Sequence, residues 1–381
     1  MRRIRLVLTL ALITLAAAPV SATPFTADPA TRWPVCGQWR WVTTHQATGQ
    51  AKDVAVVSPY EAWTVGYDGE DDGYRALILH WNRIRWERMS IPAPRLMSTG
   101  LEAVTVVSPD EVWAVGFSQV WKENWGQLPN RPFATRWNGH AWARVPLGIP
   151  DLHGWLNGVA AIPGTDDLWA VGTSVIPKTG HLRTLALRWD GEVWRRVASP
   201  GWGSDFEDVV TVGATAWAVG HVDDADGVTR TLMSRWTGER WTIVTGPPGH
   251  LEAVDAVSAN RVFAVGTYQK TDGTWKGALV MRRDADGWAV ARKIPGHLDL
   301  MEVVVPSLTD AWAVGARVDT AAGWIETPLL LRRHGGPWSV VPAPAKVGWF
   351  PAIDGTPHNL WMPRVRTSEV GSARVDMLHR C

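Results

Sequence analysis

The sequence has few of the residues and motifs that usually mark an enzyme centre or a nucleic-acid binding surface. Its 381 residues include 2 cysteines and 4 tyrosines, and 38 basic residues nearly balance 37 acidic ones. A nucleic-acid binding face would need a clear excess of Lys and Arg. The hydrolase signature G-x-S-x-G and the metalloprotease signature H-E-x-x-H are absent. We therefore predict no catalytic residue, no metal site, no cofactor and no nucleic-acid partner.

Long hydrophobic runs are also absent after the first 22 residues. Residues 1–22 combine three arginines within the first five positions, an apolar stretch over residues 6–20, and small residues up to Ala22. This pattern is typical of a secretory signal peptide cleaved after Ala22. We expect a secreted, extracellular, monomeric protein with no membrane span in its mature chain, in which residues 23–35 form an N-terminal extension. Without the leader, 35 basic residues remain against 37 acidic ones, a net charge of −2.

Tryptophan, in contrast, is abundant, and much of it lies in a repeated motif, Trp-x-Val-Gly. The 26 tryptophans are accompanied by 36 glycines and 26 prolines. Successive copies begin 50, 56, 48, 46, 49 and 49 residues apart. They begin at Trp63, Trp113, Trp169, Trp217, Phe263 and Trp312, with a decayed seventh copy at Trp361. Self-similarity near this period is the signature of a propeller or a solenoid.

A second motif follows each clear copy and predicts a β-hairpin. Two positions five residues apart hold mostly tryptophan, as in Trp137 and Trp142, with a turn such as Asn138-Gly139 between them. Residues 101–146 contain four short strands separated by turns, which is a four-stranded antiparallel meander. Because one meander cannot bury both of its faces, copies must stack around an axis. The sequence therefore predicts an all-β fold, a seven-bladed β-propeller over residues 36–381.

The two chain ends are predicted to meet in the last blade. The C-terminal Leu378-His379-Arg380-Cys381 matches the end of a third strand, and residues 36–44 resemble a missing fourth strand. In this alignment Cys36 and Cys381 share the turn position held by Asn82, so we predict a disulfide between them. The alternative is two unrelated thiols.

The VWAVG strands followed by RW-x-G-x-x-W hairpins resemble secreted bacterial β-propellers of the broad kelch and galactose-oxidase-like group. The resemblance covers nearly all of residues 36–381 and implies the architecture. It implies no particular activity, because one fold hosts many functions. The copper site of galactose oxidase needs a cysteine crosslinked to tyrosine, and both cysteines are already assigned to ring closure.

Candidate binding residues are those that break the repeat. Aromatic side chains in the variable loops suit the apolar face of a sugar ring. They are Trp121, Trp125, Trp155, Trp202, Trp275, Trp324 and Tyr74. The alternative is that each ring only covers its own loop.

A carboxylate also recurs at the start of the innermost strand, where it should circle the mouth of the central channel. The carboxylates are Glu102, Glu207, Glu252 and Glu302, with His250 and His297 nearby. Such a ring suits a cation or a polar ligand. The alternative is that each Glu pairs with an arginine of the repeat, such as Arg136 or Arg235.

The leading functional prediction is a secreted binding module that recognises an extracellular or cell-wall glycan, or else a protein partner, through its variable loop face. The alternative is a glycoside hydrolase or polysaccharide lyase acting at the channel mouth. A third reading is a purely structural surface protein.

Overall fold

The computed structural model describes residues 37–44, 47–69, 73–91, 97–122, 126–127, 130–199, 201, 203–270, 274–319, 325–367 and 373–381. The predicted signal peptide and N-terminal extension lie outside the described residues. Within the described ranges the regular structure is entirely β-strand, as predicted from the short apolar runs between turns. This part of the chain contains no helix with the length and hydrophobicity needed to cross a membrane.

In chain order, the first fourteen strands are β1 (Trp39–Val42), β2 (Gln50–Ser58), β3 (Glu61–Asp68), β4 (Arg75–Trp81), β5 (Trp86–Met89), β6 (Met97–Ser108), β7 (Glu111–Lys122), β8 (Gly126–Gln127), β9 (Arg131–Trp137), β10 (Trp142–Arg144), β11 (Gly154–Ala161), β12 (Leu168–Val175), β13 (Leu182–Trp189) and β14 (Trp194–Val197). The next fourteen are β15 (Ser204–Val212), β16 (Thr215–Asp223), β17 (Thr229–Trp236), β18 (Trp241–Ser258), β19 (Arg261–Gln269), β20 (Trp275–Asp284), β21 (Gly287–Pro295), β22 (Leu298–Val304), β23 (Asp310–Asp319), β24 (Ile325–His334), β25 (Ser339–Val340), β26 (Asp354–Thr356), β27 (Asn359–Thr367) and β28 (Ala373–Arg380).

These strands form antiparallel meanders, mostly of four strands, which we call blades. The strand orders are β2-β3-β4-β5, β6-β7-β9-β10 with β8 paired to β7, β11-β12-β13-β14, β22-β23-β24-β25 and β26-β27-β28-β1. Strands β15 to β21 form one seven-stranded sheet, because β18 runs unbroken from the outer position of one meander to the innermost position of the next. The all-β prediction is confirmed, and the count of seven blades stays a prediction.

The glycine of the repeated motif is required by the close approach of two strands. A Cβ added to Gly66 would lie 1.9 Å from the carbonyl oxygen of Gln50. Gly66 faces Ala51, and the register then shifts so that Lys52 is an extra residue in β2. Such a β-bulge re-aims a side chain. The same bulge lies opposite the motif glycine in five more blades, at Glu102, Asn157, Glu207, Glu252 and Met301.

The motif tryptophans form the cores between neighbouring blades. Trp63 lies against the hairpin pair of the next blade, with ring centroids 5.1 Å from Trp137 and 5.3 Å from Trp142. The same arrangement closes the circle, since Trp361 of the last blade lies 5.2 Å from Trp81 and 5.1 Å from Trp86 of the first. The repeated tryptophans are therefore framework, as their recurrence predicted.

The N-terminal strand completes the last blade, as predicted. Strand β1 pairs with β28, and Trp39 lies opposite Arg380 as Trp86 lies opposite Trp81. The amide of Gly37 donates a hydrogen bond of 2.8 Å to the carbonyl of Cys381. This register corrects the predicted alignment: Trp39 takes the position of Trp86, so that Cys381 takes the position of Asn82. Cys36 lies outside the described residues, so the disulfide stays a prediction.

Candidate functional site

Three positions in each of six blades meet at one end of the channel, and we call this surface the channel mouth. The first is the bulge residue of the innermost strand, the second lies two residues before it, and the third follows the motif glycine. The second and third positions face each other across the strand pair. The facing pairs are Gln50 and Tyr67, Gly100 and Phe117, Trp155 and Thr173, Asp205 and His221, His250 and Thr267, and Asp299 and Ala316. The inner framework repeats, whereas these positions differ from blade to blade.

One half of the mouth is built from histidines and carboxylates. His221 Nδ1 lies 2.8 Å from Asp205 Oδ1, and His250 Nε2 lies 2.6 Å from Glu252 Oε1. The two imidazole rings are close, with centroids 5.4 Å apart and planes inclined by 61°. This half therefore has two histidine–carboxylate pairs side by side.

Asn157 links this half to the neighbouring blade. Its Nδ2 donates a hydrogen bond of 3.0 Å to Glu207 Oε2 and another of 3.0 Å to the carbonyl of Phe206. The carboxylate of Glu207 is thereby fixed at the same end of the channel as the histidine pairs.

The pKa values of these groups are shifted by their crowding. Burial, followed by repulsion from Asp205 and Glu252, raises the pKa of Glu207 well above its ordinary value. Burial and the charge of Glu252 raise the pKa of Asp299 to about 7. Burial lowers the pKa of both histidines, but hydrogen bonds and charges from their carboxylate partners outweigh it, so the pKa of each is raised. The mouth accordingly favours bound protons or cations.

The other half of the mouth is aromatic. Tyr74 is 39% exposed, and its ring centroid lies 4.8 Å from Tyr67 and 5.9 Å from Phe117. Phe117 occupies the space of a missing side chain, since a Cβ on Gly100 would lie 2.5 Å from its ring. Beside this cluster the Lys52 ammonium lies 3.5 Å from a Glu102 carboxylate oxygen and 5.3 Å from the centroid of Tyr67.

Trp275 joins the variable loops to the channel mouth. It begins β20, its side chain is 52% exposed, and its ring centroid lies 5.9 Å from that of His250. Of the predicted aromatic residues, it is the one whose described side chain touches the histidine–carboxylate half. An exposed indole beside hydrogen-bonding groups is a surface on which a sugar ring or a peptide side chain can stack.

A cavity of about 320 Å³ lies inside the mouth. Its lining includes Lys52, Glu102, Asn157, Glu207, Glu252 and Asp299. All four predicted carboxylates, Glu102, Glu207, Glu252 and Glu302, therefore line one cavity.

Two of the predicted residues, Glu302 and His297, do not occupy the positions that the sequence alignment gave them. The bulge of β22 falls at Met301, so Glu302 is not equivalent to Glu252 but lies one residue deeper. His297 is exposed, and Asp299 instead takes the position equivalent to His250. The segments 249–252 and 296–299 look alike, but the second has two extra residues before its bulge, which misled the alignment.

The remaining predicted aromatic residues add little to the described site. Trp155 is half-buried on β11, opposite Thr173. Trp121 belongs to β7, but its side chain lies outside the described part of the chain, as do Trp125, Trp202 and Trp324 entirely. Their roles stay predictions.

The alternative pairing of the mouth carboxylates with repeat arginines is wrong. Arg136 lies 2.9 Å from Glu111 at the start of the second strand. Arg188 makes the same kind of pair with Asp167, at 2.7 Å. The guanidinium of Arg235 lies over the ring of Trp217. These arginines therefore support the blades, whereas Glu102, Glu207 and Glu252 contact Lys52, Asn157 and His250 respectively.

A deeper set of carboxylates, which the sequence analysis missed, links neighbouring innermost strands. Asp53 accepts hydrogen bonds from the amides of Val54 at 2.7 Å and, in the next blade, Val104 at 2.8 Å. Asp208 and Asp255 do the same for the blades that follow them, and Asp354 accepts from Val56. Their irregular spacing along the sequence hides this role, and only the strand register reveals it.

Burial raises the pKa of these deeper carboxyls. The pKa of Asp53 rises to about 8, that of Asp208 to about 7 and that of Asp354 to about 6. In each the amide donors oppose the shift. Burial and the charges of Asp208 and Asp53 also raise the pKa of Glu302 well above its usual value.

No protein-family model and no curated protein matches the chain. Among solved structures it is similar to "YCF48 bound to D1 peptide", with 14% identity and a TM-score of 0.54 over 90% of this chain and 96% of that one. The fold is a β-propeller. A second match is "Trypanosoma rangeli sialidase in complex with sialic acid", with 9% identity and a TM-score of 0.48 over 89% of this chain and 58% of that one. Identities this low concern the fold alone, and neither match supports a kelch relationship.

Proposed function

We propose that this propeller is an exported binding module whose channel mouth, together with Trp275, binds an extracellular glycan. The observation that carries the proposal is the contact of exposed Trp275 with the His250–Glu252 pair. An indole offers a flat surface for the C–H face of a sugar, and adjacent carboxylates and imidazoles accept hydrogen bonds from its hydroxyls. The proposed export rests on residues 1–22 of the sequence.

The charge of the mouth narrows the class of glycan. Glu207, Glu252 and Asp299 share one cavity, and the charge of Glu252 adds to burial in raising the pKa values of Glu207 and Asp299. A further carboxylate or sulfate on the ligand would add to this repulsion, whereas a neutral sugar or an amino sugar would not. The proposal is therefore binding of neutral or amino-bearing glycans in preference to acidic ones.

The proposal is tested with a glycan array followed by calorimetry on the best ligand. We expect Trp275→Ala to weaken binding about tenfold, since stacking contributes roughly 1–1.5 kcal/mol. Tyr60→Ala is the matched control: Tyr60 is 47% exposed, but it lies on the β2–β3 turn at the opposite end of the blade. Unchanged affinity in Trp275→Ala, or a preference for acidic glycans, would contradict the proposal. Binding of peptides with no glycan bound would favour a protein partner, as in the complex of YCF48 with a D1 peptide.

A second candidate function is glycoside hydrolysis at the mouth. It is favoured by Asp299, whose pKa of about 7 would keep a general acid protonated near neutral pH, next to the Glu252 carboxylate. Release of reducing sugar from neutral polysaccharides, lost in Asp299→Asn, would support hydrolysis, whereas no release across a broad panel would leave the binding module. A polysaccharide lyase is disfavoured because its acidic substrates would meet the carboxylates of the cavity.

A further inference from the structure

We propose that Glu207, His221 and His250 form a binding site for a divalent transition-metal ion, Zn²⁺ first. One ligand atom from each of the three side chains lies within 4.8 Å of the others. A tetrahedral zinc with bonds of about 2.0–2.2 Å would hold its ligand atoms about 3.3 Å apart. All three side chains are half-buried, and metal binding would require rotations about their χ angles to bring the ligand atoms to that distance.

The donor set selects the class of metal. Two imidazole nitrogens and one carboxylate oxygen suit zinc, nickel or copper, whereas calcium and magnesium prefer oxygen ligands alone. Three protein ligands leave a fourth position open, and the side chains remain partly exposed toward the mouth. The site therefore fits an exchangeable ion that stays accessible to small molecules.

The carboxylates behind the histidines orient the free ring nitrogens. Asp205 Oδ1 lies 2.8 Å from His221 Nδ1, which leaves Nε2 for a metal. Glu252 holds His250 through Nε2, which leaves Nδ1. Metal-binding histidines commonly give their second ring nitrogen to a carboxylate in this manner, which fixes the tautomer and the ring orientation.

The backbone fixes these ligands on adjacent strands. Glu207 is the bulge residue of β15, His221 follows the motif glycine of β16, and His250 lies two residues before the bulge of β18. The hydrogen bond from Asn157 Nδ2 restrains one oxygen of Glu207 and leaves the other available. Asp299, when ionised, adds negative potential beside His250. Because strand pairing fixes the backbone at these positions, only side-chain rotations have to be ordered when the metal binds.

The simpler explanation of this cluster is two ordinary histidine–carboxylate ion pairs that bind no metal. A direct measurement of metal binding distinguishes this explanation from the proposed site. The probe is Zn²⁺ alone, titrated calorimetrically into untagged protein that has been treated with a chelator, with Co²⁺ as a spectroscopic substitute. We expect one Zn²⁺ per chain and visible Co²⁺ ligand-field bands. His221→Ala and His250→Ala should abolish both signals, and Asp205→Asn should weaken the Zn²⁺ affinity about 10–100-fold as a positioning change.

His140→Ala is the matched control, since His140 is exposed on the β9–β10 turn. Near-ultraviolet circular dichroism establishes that each variant is folded. If a variant does not fold, the Co²⁺ spectrum of the wild-type protein still decides whether nitrogen ligands bind the metal. No stoichiometric Zn²⁺ binding, binding unchanged in both His variants, or tighter binding of Ca²⁺ than of Zn²⁺ would overturn the proposal.

The metal site goes beyond the proposed glycan function and does not depend on it. Failure of Zn²⁺ binding leaves the effect of Trp275→Ala on glycans unaffected. Conversely, Zn²⁺ binding without any glycan ligand would uphold the metal site alone.

Discussion

Replacement of Asp53 by Asn should abolish the contribution of this residue to the pH dependence of stability. Burial, opposed by the amide of Val104 and increased by the charge of Asp208, raises the pKa of Asp53 from 3.8 to about 8. The folded protein thus binds this proton more tightly than the unfolded chain does. The resulting stabilisation is complete below pH 3.8 and is lost as the pH rises through about 8.

The size of the effect follows from proton linkage. Each pH unit between the two pKa values changes the free energy of unfolding by about 1.4 kcal/mol per proton, which gives at most about 2.7 kcal/mol between pH 6 and pH 8. Asp53 retains some exposure to the channel, so screening by water reduces this figure, and we expect about 1–2 kcal/mol.

The variant Asp53→Asn does not titrate, and its amide has one acceptor oxygen for the two backbone amides of Val54 and Val104. At about pH 6 it should therefore be less stable than the wild-type protein by about 1–3 kcal/mol, the cost of one unsatisfied donor. By about pH 8 the difference should shrink by about 1–2 kcal/mol, because only the wild-type protein loses the proton.

The assay is urea unfolding followed by tryptophan fluorescence across this pH range. Asp110→Asn, at an exposed position of the β6–β7 turn, is the control, and its difference from wild type should stay constant with pH. A difference between Asp53→Asn and wild type that is equally large at both ends of the range would refute the reasoning.

Three further predictions concern ring closure and the motif. Trp361→Ala should lower the free energy of unfolding by about 3–5 kcal/mol, because the side chain is fully buried between the first and last blades. The control is Trp41→Ala, which removes an exposed side chain and should lower the free energy of unfolding much less in the same urea titration. If Cys36 and Cys381 form a disulfide, Cys36→Ser should lower the melting temperature of the oxidised protein. A reducing agent should then lower the melting temperature of the wild-type protein but not that of the variant. Gly116→Ala should cost more than about 1 kcal/mol in urea unfolding, because its Cβ would lie 2.2 Å from the carbonyl oxygen of Gly100.

The architecture was predictable because it depends on residues that recur. A fixed period, a hairpin turn between two tryptophans and the glycine of the motif all report local strand geometry, which sequence displays directly. The same reasoning placed Trp39 on the last blade, since an unpaired third strand ending at Arg380 needed a partner. The continuity of β18 was not predictable, because the Gly-Pro-Pro-Gly sequence at residues 246–249 indicates a turn, whereas the strand runs through it.

The site was only partly predictable because its members become neighbours through register. Glu207 and His250 were identified as interruptions of the repeat, but His221 was missed, although it directly follows the glycine of its motif copy. That position holds Tyr67 in one blade and Phe117 in another, so its variability was the available signal. The roles of Asp53 and Asp354 depend on amides of the next blade, which no local pattern reports.

The mouth is built by the most repetitive residue of the chain. Each motif glycine permits a carbonyl approach that no side chain would allow, and the bulge opposite it turns one extra side chain toward the channel. Because the backbone geometry is the same in each of these blades, the bulge residue and its two companions can change identity without disturbing the Trp-lined cores. Lys52, Glu102 and Glu207 thus occupy one structural position with different chemistry. The framework residues and the mouth residues therefore occupy separate positions of the same strands, so that the first can repeat strictly while the second vary. Substitutions that change binding should be sought at the mouth positions.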